Sequence, residues 1–98
     1  MCSPLTAGDL GEYRKMRSRY LRYGRRAFPG ERWSRYQALC ARVRDAIDCL
    51  DGDCQTVARL YWDSALSCVA VSMRVYYSER HVRRLRDRAK EQIITAYA

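Results

Sequence analysis

Val75–Ile93 reads VYYSERHVRRLRDRAKEQI, and two patterns are superimposed on it. Apolar residues return every three or four positions at Val82, Leu85, Ala89 and Ile93, which is the spacing of one helix face. Ser78 stands immediately before the run, where a helix N-cap belongs. The remaining positions are crowded with arginine, so Glu79, Arg80, Arg83, Arg84 and Asp87 fall on the outward side. Glu79 and Arg83 are also spaced to form an i,i+4 pair on a solvated face. Whether this helix is merely wet or is aimed at a partner decides how the chain is read.

Working back toward the amino end, the same helical period recurs and no segment alternates with period two. Asp9–Ala27 is expected to be a helix capped by Asp9 with Glu12 three residues on. Its stripe is Leu10, Tyr13, Met16, Tyr20, Tyr23 and Ala27, and Arg14, Lys15, Arg17, Arg19, Arg22, Arg25 and Arg26 lie off it. Phe28-Pro29-Gly30-Glu31 breaks the chain, since proline removes a donor and glycine admits unusual dihedrals. A second helix follows over Glu31–Leu50 with Trp33, Tyr36, Leu39 or Cys40, Val43, Ile47 and Leu50 as its stripe. Two helices of similar length across a tight turn imply an antiparallel hairpin. Asp51-Gly52-Asp53 ends it. A third helix over Cys54–Trp62 presents Val57, Leu60 and Tyr61, and a fourth over Ala65–Arg74, capped from Asp63-Ser64, presents Leu66, Val69, Ala70 and Met73. The fold class is therefore all-α, with four to five helices in one domain. Residues 1–8 form a flexible lead, 9–50 the hairpin, and 54–98 a helix-turn-helix region.

A chain of 98 residues holds a single core. The net charge of +8 comes from seventeen arginines and two lysines against eleven carboxylates. Guanidinium forks bind phosphates and guanine edges in pairs of hydrogen bonds, and an arginine-rich codon bias is the plain alternative source. A basic surface attracts polyanions in either case. No apolar run approaches the roughly 20 residues of a bilayer span, and no leader-like apolar segment follows Met1, which points to the cytoplasm. The five cysteines are odd in number and lack a Cys-x-x-Cys pair, which suggests reduced thiols without zinc. No glycine-rich phosphate loop is present, and no Ser or Cys lies beside an identifiable base. The carboxylates Asp45, Asp48, Asp51 and Asp53 have no accompanying histidine. The expected protein is not an enzyme and carries no metal or cofactor.

From Leu66 onward the spacing resembles region 4 of sigma factors and related phage regulators. The residues that carry it are Val71-Ser72, Val75, Ser78, Val82 and Arg88-Ala89. The phrase YSERHVRRL is most similar to small phage transcriptional regulators of the ArpU type. The resemblance covers about Gln55 to Ala98 and is weak over the first fifty residues. It departs from the family at Tyr76, where a glycine of positive φ is usual, and at Ser72, where alanine is usual.

What the resemblance implies is a DNA-binding regulator of phage or prophage type, working in the host cytoplasm. The helix after Ser78 enters the major groove, Arg80 and Arg83 read guanine, and Arg84 reads a base or takes a phosphate. Glu79 accepts from cytosine or serves the helix dipole, and Ser78 meets a phosphate. On the first helix, Arg14, Lys15 and Arg22 offer a second surface for a nucleic-acid backbone. Expected partners are double-stranded DNA, with RNA polymerase or a second copy of the chain beside it. The dimer surface would be the Trp33–Leu50 stripe or the end near Tyr97. An alternative of another class is a small inhibitor that occludes a host nucleic-acid enzyme, using the acidic patch and the aromatic hairpin as contact surfaces.

Overall fold

A computed structural model describes residues 5–96; expectations that fall on residues 1–4, on Tyr97 or on Ala98 lie outside it. Among the described residues every regular element is helical, so the chain is all-α with five helices. They are α1 (Ala7–Tyr23), α2 (Glu31–Asp48), α3 (Gly52–Ala58), α4 (Cys68–Arg74) and α5 (Glu79–Ala96). A 3₁₀ turn over Gly24–Ala27 closes α1, and a π-helical turn over Arg59–Asp63 extends α3.

The first helix begins earlier than Asp9. Thr6 is its cap: the Thr6 hydroxyl accepts from the Asp9 amide at 3.1 Å, and the Asp9 carboxylate accepts from the Thr6 amide at 3.0 Å. Asp9 is thus the returning half of a capping box. Leu5 and Leu10, one residue before the cap and four after it, are both buried in the same cluster, the positions of a hydrophobic staple. Residues 5–8 are accordingly built into the fold, where a flexible lead was expected.

The hairpin register follows from its side-chain pairs. Tyr20 meets Trp33 and Tyr36 at ring distances of 6.0 and 5.3 Å, and Arg17 donates to the Tyr36 hydroxyl at 2.8 Å. Partners on α2 advance as those on α1 retreat, which makes the two helices antiparallel. Phe28 stacks on Tyr36 at 4.5 Å and seals the turn from inside. The α2 stripe goes into this core: Tyr36, Cys40, Val43, Ile47 and Leu50 are buried. It is therefore taken up within one chain and does not offer the dimer surface expected of it.

The second half is a trihelical unit in which α5 lies across α3 and α4. Val82, Leu85, Ala89 and Ile93 are buried with Cys54, Val57, Ala58 and Val71, as the opening stripe predicts. The fourth helix differs from expectation. It starts at Cys68, capped by Ser67, whose hydroxyl accepts from the Ala70 amide at 3.1 Å. Its inward residues are Cys68 and Val71, so Val69 and Met73, expected inside, face out, with Met73 83% exposed. The chain reaches α4 from the π turn through Ala65 at φ 56°, and the seven residues of α4 are too few for spacing to fix which face turns inward.

Asp63, read from sequence as a cap, instead joins the two halves. Its carboxylate accepts from the Tyr13 hydroxyl and from Arg44 Nε (3.1 Å), with Arg17 Nε 3.7 Å away. Burial would raise its pKa, but the hydrogen bonds from Tyr13 and Arg44 and the charge of Arg17 outweigh it and hold the carboxyl below the usual range. Burial and the bond to Asp63 push the Tyr13 hydroxyl above the ordinary tyrosine range. Burial also raises Tyr36, to about 12, despite the hydrogen bond from Arg17.

The pH dependence follows from these directions. The depressed Asp63 contributes stability that is present above the unfolded carboxyl pKa of about 4 and is lost as pH falls through its lower folded value. The raised tyrosines contribute stability that is complete below about pH 10 and is lost as pH rises beyond it. Asp63→Asn should destabilise the fold by about 2–3 kcal/mol at pH 7, since it removes a partly buried charge from cationic partners. Urea melts at pH 7 and pH 3 test this: the gap between the two proteins should narrow at pH 3, and an equal gap at both would remove Asp63 from its role.

Candidate nucleic-acid interface

The turn before α5 is built from Val75–Ser78. Val75 is extended at φ −115°, ψ 160°, and half-buried. Tyr77 packs edge-on against His81 at 4.8 Å, which gives that histidine a structural contact. Tyr76 is fully exposed. Among the described residues Ala65 is the one non-glycine with positive φ, so Tyr76 avoids the left-handed conformation. The Ser72 hydroxyl donates back to the Val69 carbonyl at 2.6 Å, which satisfies it within the helix.

Ser78 caps α5: its hydroxyl accepts from the His81 amide at 3.2 Å, and its carbonyl accepts from Val82 at 3.0 Å. On the outward side, Arg80 and Arg84 are exposed, one helical turn apart, and form no ion pair among the described residues. Arg83 is exposed as well, but its Nη2 donates to Glu79 at 2.6 Å. An exposed pair of this kind is worth well under about 1 kcal/mol, so a competing phosphate or base can draw Arg83 away cheaply. Asp87 accepts from Arg86 at 3.0 Å.

The expected residues of α1 separate into different employments. Arg14 turns inward. Its Nε donates to the Tyr61 carbonyl at 3.1 Å and its Nη2 to the Leu66 carbonyl at 3.0 Å, with the guanidinium 4.3 Å from the Tyr61 ring centre. Arg17, off the expected stripe, donates to the Asp63 carbonyl at 2.6 Å. Arg14 and Arg17 thereby satisfy the Tyr61 and Asp63 carbonyls that the end of the π turn leaves open, and Arg14 also the Leu66 carbonyl of the link to α4. Lys15 is exposed and faces a depression shared with Lys90 of α5, while Arg22 is exposed at the far end of the hairpin, over the ring of Tyr23.

Arg86 was not singled out from sequence. Its Nη1 lies 3.3 Å from Cys68 Sγ, and its guanidinium is 5.2 Å from the Tyr61 ring centre. The signal that could have found Arg14, Arg17 and Arg86 is their place four residues after buried Leu10, Tyr13 and Val82, on the margin of each stripe. The four described cysteines are free; Cys40, Cys54 and Cys68 are buried and Cys49 is exposed. No helix among the described residues is long and apolar enough to cross a membrane.

In comparison with known proteins, the chain matches no family model, no curated protein and no solved structure. The geometry of α5 must therefore speak for itself. Ser78→Ala should cost about 1 kcal/mol of stability by leaving the first turn of α5 uncapped, measured by chemical denaturation. No change would mean that water replaces the serine without penalty.

Proposed function

We propose that this protein is a DNA-binding transcription regulator that presents α5 to the major groove. The observation that carries the reading is the exposed pair Arg80 and Arg84, held outward because Val82, Leu85, Ala89 and Ile93 anchor the opposite face. A short helix, a brief turn and a longer capped helix are the parts of a helix-turn-helix, in which the first exposed residues of the second helix meet base edges. The spacing around Val71, Ser78 and Val82 resembles sigma region 4 and ArpU-type phage regulators, which supports a phage or prophage origin. Arg80 and Arg84 suit guanine, Arg83 follows once released from Glu79, and Ser78 at the helix start suits a phosphate.

A protein partner beside the DNA is favoured by a separate observation. Val69 and Met73, one turn apart on α4, and Tyr76 in the turn after it are exposed large apolar residues on the same unit as α5. They suit contact with RNA polymerase or another host protein. The contact surfaces expected of an enzyme-occluding inhibitor fare less well. Phe28, Tyr36 and most of Trp33 and Tyr20 lie in the hairpin core, and Asp48 of the acidic patch accepts from Arg59 at 2.7 Å.

The test is selection from random duplex DNA at about 150 mM salt, where non-specific attraction is damped. A defined motif should emerge. Arg80→Ala and Arg84→Ala should each weaken binding to it by about tenfold to a hundredfold and relax the preference at one position. Failure to enrich any motif would overturn base readout by α5.

A further inference from the structure

Three surface depressions border α5, α1 and α2. The first, about 350 Å³, runs along the flank of α5 beside Arg83 and Arg86 and is closed on the other side by Arg14 and Tyr61. The second, about 370 Å³, shares Arg14, Tyr61 and Arg86 with it and continues to Lys90 on α5 and Lys15 on α1. The third, about 500 Å³, shares Lys15 and follows the hairpin seam to Arg19, Arg32 and Arg35. The first two share three walls and form one trough; the third lies on the other flank of α1, and Lys15, exposed on the crest between them, borders both.

Eight cationic side chains line these depressions against four carboxylates, two of which are taken by Arg83 and Arg86, while Lys15, Arg19, Arg32, Arg35 and Lys90 form no ion pair among the described residues. Glu79 is bonded to Arg83 and Asp87 to Arg86. Asp9 is engaged in the capping box with Thr6. Asp9 and Glu12 lie early in α1, and the antiparallel register sets Arg19 and Arg32 at the opposite, turn end. The depressions are open to solvent, whereas a small molecule is held in a site that buries most of it. A linear polyanion fits better. The trough also starts on a flank of α5, beside the outward face of Arg80 and Arg84. A helix seated in the major groove has a phosphate row along each flank, so the bordering strand would enter the trough there.

The geometry points to a phosphate-binding track, from Arg83 and Lys90 through Lys15 to Arg19, Arg32 and Arg35, that holds the backbone of the same duplex whose bases α5 reads. It rests on the DNA-binding reading of α5 and adds the hairpin to it as a second, sequence-independent contact. The longest dimension of the protein, 41 Å, corresponds to about 12 base pairs at about 3.4 Å each.

The experiment compares the full chain with a Lys15→Gln/Arg19→Gln/Arg35→Gln variant on a labelled random-sequence duplex of about 16 base pairs, by fluorescence anisotropy over a range of salt. All three side chains are exposed, and none makes a hydrogen bond or ion pair among the described residues, so the melting curve should be unchanged. Each neutralised contact should lower the slope of log K against log salt by about 0.9, so the triple variant should lose between about 2 and 3. If the triple variant melts early, the three single variants each carry the same expectation of about 0.9. An unchanged slope overturns the track. The Arg80→Ala/Arg84→Ala protein separates this from the reading of α5. A lost motif with an unchanged slope in the triple variant leaves α5 as the reader and removes the track. A reduced slope in the triple variant, with no motif enriched by the wild type, keeps a phosphate-binding hairpin and removes base readout. Absence of duplex binding by the wild type overturns both.

Discussion

Two arginines of α1 that close the carbonyl end of the π turn fix how the two halves of this protein meet. A helix end leaves carbonyls without partners, and a π turn that exits through a left-handed residue leaves them at unusual angles. Arg14 and Arg17 reach across from α1 and donate to Tyr61, Asp63 and Leu66. Cations are favoured there by the helix dipole as well as by the hydrogen bonds. The Asp63 side chain then answers in the other direction, drawing Tyr13 and Arg44. The hairpin and the trihelical unit share one apolar core, and these directional polar contacts orient one on the other.

That arrangement sets how the positive charge is used. Arginines that satisfy carbonyls or lie over Tyr61 are structural, and their charge is partly answered inside the fold. Arg83 and Arg86 hold carboxylates on their own helix. Arg80 and Arg84 carry neither duty, and a guanidinium in water without a partner is the group most ready for a base edge or phosphate. The same clamp brings α1 alongside α5, which is why Lys15 and Lys90 border one depression although they are far apart in sequence.

The local signals in the chain were legible where one helix face meets one core. The α5 stripe and its Ser78 cap, the α2 stripe, the Pro29-Gly30 break and the antiparallel hairpin all follow from spacing and turn chemistry. The start of α1 was misplaced because Asp9 serves equally well as a cap and as the third residue of a capping box, and only Leu5 going into the core distinguishes them. The face of α4 was misplaced because its seven residues are too few for periodicity to fix a phase.

Sequence by itself determined that the protein is all-helical, that its amino-terminal helices fold back on each other, and that the helix after Ser78 carries arginine on the face opposite an apolar stripe. These are consequences of local periodicity and capping, which act over a few residues. Tertiary structure alone decided which arginines are taken up by acceptors inside the fold. Periodicity puts Arg14 and Arg17 on the margin of the α1 stripe, but that the Tyr61, Asp63 and Leu66 carbonyls come within hydrogen-bond reach of them is settled by the packing of α1 on the π turn. A guanidinium's role depends on the acceptor it meets, and that acceptor lies some fifty residues away.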